Sequence, residues 1–413
     1  MECNDSRKLI MKRNYTIILI LFLSLCCYAQ SWRRTDQFTV NDIVYEETIH
    51  SNEVSVVGFY RKKIIIPSTV SYAGTVYSVV GLSRSDNDLR MNADSILLPN
   101  SIQWIGRNAF LNNQILKYIN IPESVTRIEK RAFYNTSISS IFIPRSLTDI
   151  GEMAFSKSNL ESIQVDSTNP AYMSEDGILY NKSKTILLAY PARRKTDLFR
   201  IPKSVTHIAT GAFQGLKQDS LIIPDNVIEV GNGAFQESEL TGVAFYNSIT
   251  HIPNGAFMNC KNLRNISFPE SITSIGDLAF KGCTSLISIN IPENTDSVGH
   301  QAFSECENLK SVILPNTIKH IGANAFYRSG LTSVTIPVGM TRIEESTFFD
   351  CPNLCSVYIP ESVTAIQRWA FASCNSLATI RISGNPIIEP GAFDGTQWYK
   401  SQKPGPLYIG SSL

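Results

Sequence analysis

The amino-acid sequence predicts an α/β-type solenoid, in which stacked coils carry a parallel β-ladder on one face and short helical or turn segments opposite. Near-repetition is the first observation: "IPESVTRIEKRAF" at 121–133 returns as "FPESITSIGDLAF" at 268–280 and "IPESVTAIQRWAF" at 359–371. The second is a period of 22 or 23 residues, interrupted by one step of 58, between twelve closing phenylalanines (Phe110, Phe133, Phe155, Phe213, Phe235, Phe257, Phe280, Phe303, Phe326, Phe348, Phe371, Phe393). Such a period indicates a repeat array.

Each unit contains an alternating, β-branched stretch followed by two turns, and this is the third observation. In "SINIP", Ile289 and Ile291 face one way and Ser288 and Asn290 the other, which predicts a short strand. The closing Pro292 has no N–H and ends the strand. "SVTxI" then points two more apolar side chains inward, and "GxxAF" forms a turn or short helix whose Phe fills the centre. One unit cannot bury these side chains alone, so the units must stack.

The chain divides into six predicted segments. They are a signal peptide at 1–29, an N-terminal β cap with a degenerate repeat at 30–95, repeats 1–3 at 96–163, a β-hairpin insert at 164–199, repeats 4–12 at 200–396 and a C-terminal tail at 397–413, which we expect to end a short or truncated chain. A cap is expected because the first coil would otherwise expose a bare strand edge.

The step of 58 residues contains two β-like runs. Gly177–Tyr180 and Thr185–Tyr190 flank a turn at Asn181–Lys184, which predicts a hairpin. Inserts of this kind project from one side of a solenoid. Both a structural and a binding role remain open for it.

The first residues are typical of a secretory signal. Lys12 and Arg13 precede the apolar run 16–25, and a small-x-small pattern ends at Ala29, with Met11 as an alternative start. A lipoprotein signal at Cys26 or Cys27 is the alternative. Since no later segment is apolar and long enough to span a membrane, we predict a secreted or cell-surface protein.

The repeat resembles the BspA-like leucine-rich repeat family, through the motif "IPxSVTxIGxxAFxxCxxL" over about residues 37–413. The resemblance implies a right-handed leucine-rich repeat coil in a secreted or cell-surface protein. It also implies adhesion, with a protein or glycan ligand on host matrix or other cells. We expect a monomer.

A regular slot three residues after the closing Phe holds most of the mature cysteines. Cys260, Cys283, Cys306, Cys351 and Cys374 occupy it, and Cys355 lies outside it. Ser158, Ser238, Ser329 and Thr136 fill it in other coils. A slot that accepts Cys, Ser and Thr favours a small buried side chain. Disulfides between neighbouring coils remain the alternative, although parallel Cβ directions suit them poorly.

Neither charge nor motifs indicate chemistry. The formal net charge is +1, so the chain lacks the basic excess that a nucleic-acid partner requires. Hydrolase, P-loop and dinucleotide motifs are absent from the sequence. His207, His251 and His320 share one slot but lie at least two coils apart, and the acidic stretch 85–94 lacks the Gly and distal Glu of a calcium loop. We therefore predict no enzyme, no cofactor and no metal site.

The outward residues of the strands vary freely from unit to unit, whereas the inward ones scarcely vary. A long, flat, varied surface with scattered aromatic residues is typical of a protein-binding face. The candidate contact residues are Leu97, Phe142, Arg200, Ile222, Ile313, Tyr358 and Arg381. The alternative is that these are ordinary exposed strand residues.

These features predict a non-catalytic protein that mediates adhesion through its sheet face. A structural envelope or biofilm component is the first alternative. A binding module of a hydrolase is the second, and it would need a non-repetitive domain that the sequence does not contain.

Overall fold

A computed structural model describes residues 37–84, 91–194, 198–246 and 249–402. The predicted signal peptide, its alternative lipidation sites and most of the acidic stretch at 85–94 lie outside these ranges. The described residues form a solenoid of about fourteen coils, built of parallel strands with almost no helix. The predicted solenoid is therefore confirmed.

One strand of nearly every coil belongs to a first row, which corresponds to the predicted ladder. Strands are numbered in chain order, and the first row contains β4 (Lys63–Ile65), β7 (Ser95–Leu97), β9 (Tyr118–Ile119), β11 (Ser140–Ile143), β13 (Ser162–Val165), β18 (Ser220–Ile223), β20 (Gly242–Phe245), β22 (Asn265–Ser267), β24 (Ser288–Asn290), β26 (Ser311–Ile313), β28 (Ser333–Thr335), β30 (Ser356–Ile359) and β32 (Thr379–Ile382). Pairing follows the repeat period, as where Ile141 of β11 lies opposite Ile163 of β13. Ile141 and Ile143 are buried while Phe142 is exposed, as strand alternation requires.

A second row of parallel strands lies one turn further along each coil, and the repeat pattern did not predict it. It contains β8 (Trp104–Ile105), β10 (Arg127–Ile128), β12 (Asp149–Ile150), β17 (His207–Ile208), β19 (Glu229–Val230), β21 (His251–Ile252), β23 (Ser274–Ile275), β25 (Ser297–Val298), β27 (His320–Ile321), β29 (Arg342–Ile343), β31 (Ala365–Ile366) and β33 (Ile387–Ile388). These strands come from "VTxI", which we interpreted as a turn. A strand of two residues is too short to show alternation in the sequence, so only its pairing with strands of the neighbouring coils defines the row.

The "GxxAF" segments form turns and not helices. The residue two positions before the closing Phe and the residue two positions after it adopt positive φ, as at Trp369 (58°) and Ser373 (61°) around Phe371. Main-chain bonds join these turns from coil to coil, as where Phe348 N donates to Ala370 O at 2.8 Å. The paired positive-φ residues reverse the chain too sharply for a helix to continue.

The closing phenylalanines stack along the solenoid axis. Ring centroids of neighbours between Phe213 and Phe393 lie 5.1–5.5 Å apart. Helix α1 (Gln397–Lys400) follows the last coil, and Trp398 packs on Phe393 with ring centroids 5.3 Å apart. Within the described residues, the C-terminal end of the stack is therefore covered by an aromatic side chain.

The hairpin is built into the wall of the solenoid. β14 (Tyr172–Glu175), β15 (Ile178–Asn181) and β16 (Ile186–Ala189) pair antiparallel, and β16 pairs in parallel with β17 of the second row. Ile178, Leu179, Tyr180 and Leu187 are at most 2% exposed. Our expectation that the insert projects from one side is therefore wrong, because its apolar strands would carry these side chains into water. The predicted boundary between repeat 3 and the insert, between residues 163 and 164, falls inside strand β13.

Tyr190 closes the hairpin coil in the place of a Phe. It lies 213 − 190 = 23 residues before Phe213, which is one normal period. Its N–H donates to Ala212 O at 2.8 Å, in the pattern of the closing phenylalanines. Its ring centroid lies 5.4 Å from that of Phe213. The step of 58 residues is thus one long coil of 35 residues and one regular coil.

The strands of the N-terminal cap extend the second row, whereas the first row begins with a single strand, β4. It contains β1 (Gln37–Val40), β2 (Ile43–Glu47), β3 (Glu53–Phe59), β5 (Thr69–Tyr72) and β6 (Thr75–Leu82). β6 pairs with β8 of the second row and also with β3 and β5. β4 begins the first row and pairs with β7.

Candidate functional site

The candidate contact residues lie on the outward surface of the first row. This surface, the outer row, comprises the predicted residues Leu97, Phe142, Arg200, Ile222, Ile313, Tyr358 and Arg381. All seven are exposed; the apolar and aromatic members range from 36% at Tyr358 to 62% at Ile313. Arg200 lies outside the strands of the first row, and the other six lie in strands.

The structure brings two of these residues together and separates the others. Tyr358 of β30 lies directly opposite Arg381 of β32, and the Ser383 hydroxyl lies 3.1 Å from the Tyr358 hydroxyl. Leu97 and Arg381 lie twelve coils apart, if the coil of Arg200 is counted, which corresponds to about 58 Å at about 4.8 Å per coil. The outer row therefore cannot form one pocket, and a single small molecule could contact only a few of its members.

Two exposed side chains extend the apolar part of this surface at its N-terminal end. Ile65 is 75% exposed and lies opposite Leu97, and Tyr118 is 54% exposed in the neighbouring strand β9. Ile65 was missed because its segment was assigned to the cap. "KIIIP" at 63–67 nevertheless matches the strand-then-proline pattern of the repeat, and that signal could have identified it.

Ion pairs between neighbouring coils lie on the turns and on the second row. Lys130–Glu152 at 2.6 Å and Arg328–Asp350 at 2.8 Å join neighbouring turns. The histidine slot lies on the second row, where His207 Nε2 lies 3.4 Å from Glu229 Oε2. Exposed pairs of this kind contribute little to stability.

The cysteines of the repeat slot form a buried column of free thiols. The thiol of Cys260 donates to Phe235 O at 3.0 Å, and that of Cys306 donates to Phe280 O at 3.2 Å. In the Thr-containing coil, Thr136 donates to Phe133 O at 3.0 Å. In most coils the slot thus holds a small hydrogen-bond donor, which explains why Cys, Ser and Thr recur there, whereas the buried Leu216 is an exception. Cys355 is exposed.

Burial keeps the thiols of Cys260, Cys283 and Cys306 protonated. It raises the pKa of Cys260 to about 11 and that of Cys306 to about 12. A protonated, inaccessible thiol is a poor nucleophile and a poor metal ligand. Within the described ranges, no three His, Cys, Asp or Glu side chains come close enough to hold a metal ion together. The described part of the chain also has no helix with the length and hydropathy needed to cross a membrane.

Comparison with known proteins agrees with this architecture. The sequence matches the "BspA type Leucine rich repeat region (6 copies)" over residues 89–186, 192–295 and 273–399. No curated protein sequence matches the chain.

Solved bacterial structures show a similar fold. The pneumococcal vaccine antigen PcpA has a TM-score of 0.50 and 20% identity, covering 86% of this chain and 99% of that chain. A leucine-rich repeat protein from Eubacterium ventriosum has a TM-score of 0.48 and 18% identity, covering 92% of this chain and 99% of that chain. Because the family match spans most of the sequence, the chain belongs to the BspA-type leucine-rich repeat family.

Proposed function

We propose that this chain is a secreted or cell-surface protein that binds other macromolecules through the outer row and performs no catalysis. The observation that carries this proposal is a row of outward strand positions, several of which hold exposed apolar or aromatic side chains. Phe142, Ile222 and Ile313 each keep about half or more of their surface in water. Side chains of this kind supply the anchors of protein interfaces.

The mode of binding follows from the length of the row. Contact residues that extend over about 58 Å favour a large or repeated ligand that touches several coils at once. We therefore propose a protein or glycan of the host matrix or of another cell as the ligand, and adhesion as the outcome. The similar pneumococcal protein PcpA is a vaccine antigen. Our proposal requires that the present chain is exposed at the cell surface.

Localisation supports the same proposal. Proteins with this repeat are usually at the cell surface or secreted. The stretch 11–29 of this chain has the charge and hydropathy of a secretory signal. Fractionation of cells that produce the full chain should place the mature protein in the medium or at the cell surface. Retention inside the cell would contradict this part of the proposal.

The binding proposal is tested on an array of matrix proteins, glycans and bacterial surfaces. We expect the mature chain to bind at least one component, and the double variant Phe142→Glu, Tyr358→Glu to lose about tenfold or more in affinity. The matched control is Ile228→Glu, because Ile228 is 58% exposed but adjoins the second row. It should bind normally. An equal loss in both variants would exclude the outer row as the site.

The alternative function is a structural envelope or biofilm component. It would be favoured if the mature chain binds nothing on the array and deleting its gene weakens the surface layer. A hydrolase-associated module is the less favoured alternative, because the family match covers repeats and includes no enzyme family.

A further inference from the structure

The first strand of the first row has an open edge. β4 pairs with β7, and no other described strand pairs with it. Lys62 O accepts from Ser95 N at 3.3 Å, and Ile66 N donates to Leu97 O at 3.0 Å. Because bonding residues alternate along a strand, the N–H and C=O groups of Lys63 and Ile65 face the opposite edge. The equivalent edge of the second row is covered, since β6 pairs with β3 and β5.

A cleft of about 560 Å³ borders this edge, between β4, β5 and the cap hairpin β1–β2. Val40, Ile43, Tyr45, Ile64 and Val70 contribute to its apolar lining. A volume of this size lies within the range of ligand-binding clefts. The cleft therefore provides space for side chains beside a strand edge that offers main-chain hydrogen bonds.

The rim of the cleft is positively charged. Arg61, Lys62 and Lys63 are consecutive and exposed, and among the described residues only Asp42 pairs with one of them, with Arg61 at 2.5 Å. Residues 30–36 of the chain itself, "QSWRRTD", carry two Arg and one Asp, so their net charge has the same sign as the rim and does not complement it. Charge complementarity thus favours an acidic occupant from another molecule.

We propose that the open edge of β4 binds an extended, acidic peptide segment of a partner protein, which adds to the first row as a further strand. The main chain of the segment would bond to the free groups of Lys63 and Ile65, and its alternate apolar side chains would enter the cleft. Its acidic residues would meet Lys62 and Lys63. Strand addition of this kind obtains affinity from main-chain bonds and specificity from alternate side-chain pockets. This site is distinct from the outer row, since it uses the edge of the sheet and not its face.

The test is a selection of displayed random eight-residue peptides on the mature chain, with parallel selection on Ile65→Pro. Proline removes the N–H that faces the cleft, whereas the bonds from β4 to β7 use other residues, so the edge strand should tolerate it. The matched control Ile65→Ala removes the side chain and keeps the N–H. Circular dichroism and the thermal midpoint of both variants verify that they fold.

We expect enriched peptides that alternate apolar with acidic residues. Their affinity, measured by fluorescence anisotropy, should fall about tenfold or more in Ile65→Pro and stay within about threefold in Ile65→Ala. The double variant Lys62→Glu, Lys63→Glu should also weaken binding, and more strongly at low salt. Methylating the main-chain nitrogens of one alternate set of peptide residues should abolish binding, while methylating the other set should not.

Three results would overturn the proposal. The first is no enrichment on the mature chain over Ile65→Pro, which includes the case in which the cleft is occupied by the chain's own residues or by a second copy. The second is an equal loss of affinity in Ile65→Pro and Ile65→Ala, which would assign binding to the side chain. The third is equal tolerance of both methylated peptide sets. A failure at this edge leaves the outer-row test unaffected, because that test uses Phe142 and Tyr358.

Discussion

The regular coils from Phe213 to Phe393 and the hairpin coil at 162–190 build the same wall by different means. In the regular coils, stacked phenylalanines and hydrogen-bonded turns continue from coil to coil. The hairpin coil replaces part of this pattern with antiparallel strands, and it closes on Tyr190 without the positive-φ residues that lie two positions before and after a closing Phe. On the side of the solenoid formed by the "GxxAF" turns, Ser156 Oγ donates directly to Gly211 O at 3.0 Å. This bond crosses the place where the hairpin coil would have its turn before the closing residue.

This difference divides the core. One buried cluster extends from Phe38 to Leu179 and the other from Ile178 to Phe393, so the hairpin strand β15 contributes to both. A cavity of about 100 Å³ lies at the junction, lined in part by Phe155, Leu179 and Leu188. Because the stability of a repeat array depends on contacts between neighbouring coils, the junction should be the weakest interface of the solenoid. The following predictions test this comparison.

The largest expected effect is the removal of a ring from the continuous stack. Phe303 is fully buried between Phe280 and Phe326, with centroids at 5.2 and 5.4 Å, so Phe303→Ala should lower the free energy of unfolding by about 3–5 kcal/mol. Phe155 stacks on Phe133 at 5.8 Å and adjoins the cavity, so Phe155→Ala should cost about 1 kcal/mol less. Urea unfolding measures both. Equal losses would mean that the break in the stack has no energetic consequence.

Tyr190 should behave as a member of the stack. Tyr190→Ala should cost about 2–4 kcal/mol, because it removes a ring that packs against both Phe199 and Phe213. Tyr190→Phe should change stability by less than about 1 kcal/mol, since it restores the residue of the other coils. Urea unfolding of the two variants is the measurement. A stable Tyr190→Ala variant would contradict the assignment of Tyr190 as the closing aromatic residue.

The cysteine column, which lies in the regular coils, should make stability depend on alkaline pH. The thiols of Cys260 and Cys306 have pKa values raised from 9.0 to about 11 and about 12, so the unfolded chain loses these protons first as pH rises. The stabilising contribution is complete below about pH 9 and is lost between that value and the folded pKa. We expect a loss on the order of 1 kcal/mol per thiol at pH 10. Denaturant unfolding between pH 7 and 10 measures it.

Cys260→Ser and Cys306→Ser provide the control for that pH dependence. Serine keeps a small donor in the slot and does not titrate in this range. Each variant should therefore lose less stability between pH 8 and pH 10 than the parent chain. An unchanged pH dependence would show that other groups cause it.

The smallest effect is expected for the ion pair that spans the junction. Lys157 Nζ lies 2.7 Å from Glu237 Oε2, although the two residues are 80 positions apart. Both side chains are about one-third exposed, so Lys157→Ala should cost less than about 1 kcal/mol despite this position. Unfolding at low and high salt is the measurement. A loss above about 2 kcal/mol would mean that the pair, and not apolar packing, holds the junction together.

Much of the regular fold could be predicted because the repeat period defines which residues of neighbouring coils are equivalent. Once Phe280 and Phe303 are recognised as equivalent, every other residue of those coils has an equivalent partner. The outward position of Phe142 and Tyr358 follows from strand alternation alone. The second row could not be predicted, since a two-residue strand such as Arg127–Ile128 has no periodicity of its own.

The irregular regions were harder to predict from the sequence, for a different reason. Tyr190 carries the repeat period, but a search for Phe does not find it. Ile65 looks like part of a cap until its pairing with Leu97 assigns it to the first row. In both cases the residue type is compatible with several environments, and neighbouring coils determine which one it occupies.

By itself, the sequence determined the period, the inward apolar set and the outward variable set, because each depends on spacing within one coil. Only the tertiary structure decided how the hairpin coil enters the wall, which row the cap covers and which strand edge remains open. These features depend on contacts between segments that are distant in sequence, and neither composition nor local periodicity encodes such contacts directly.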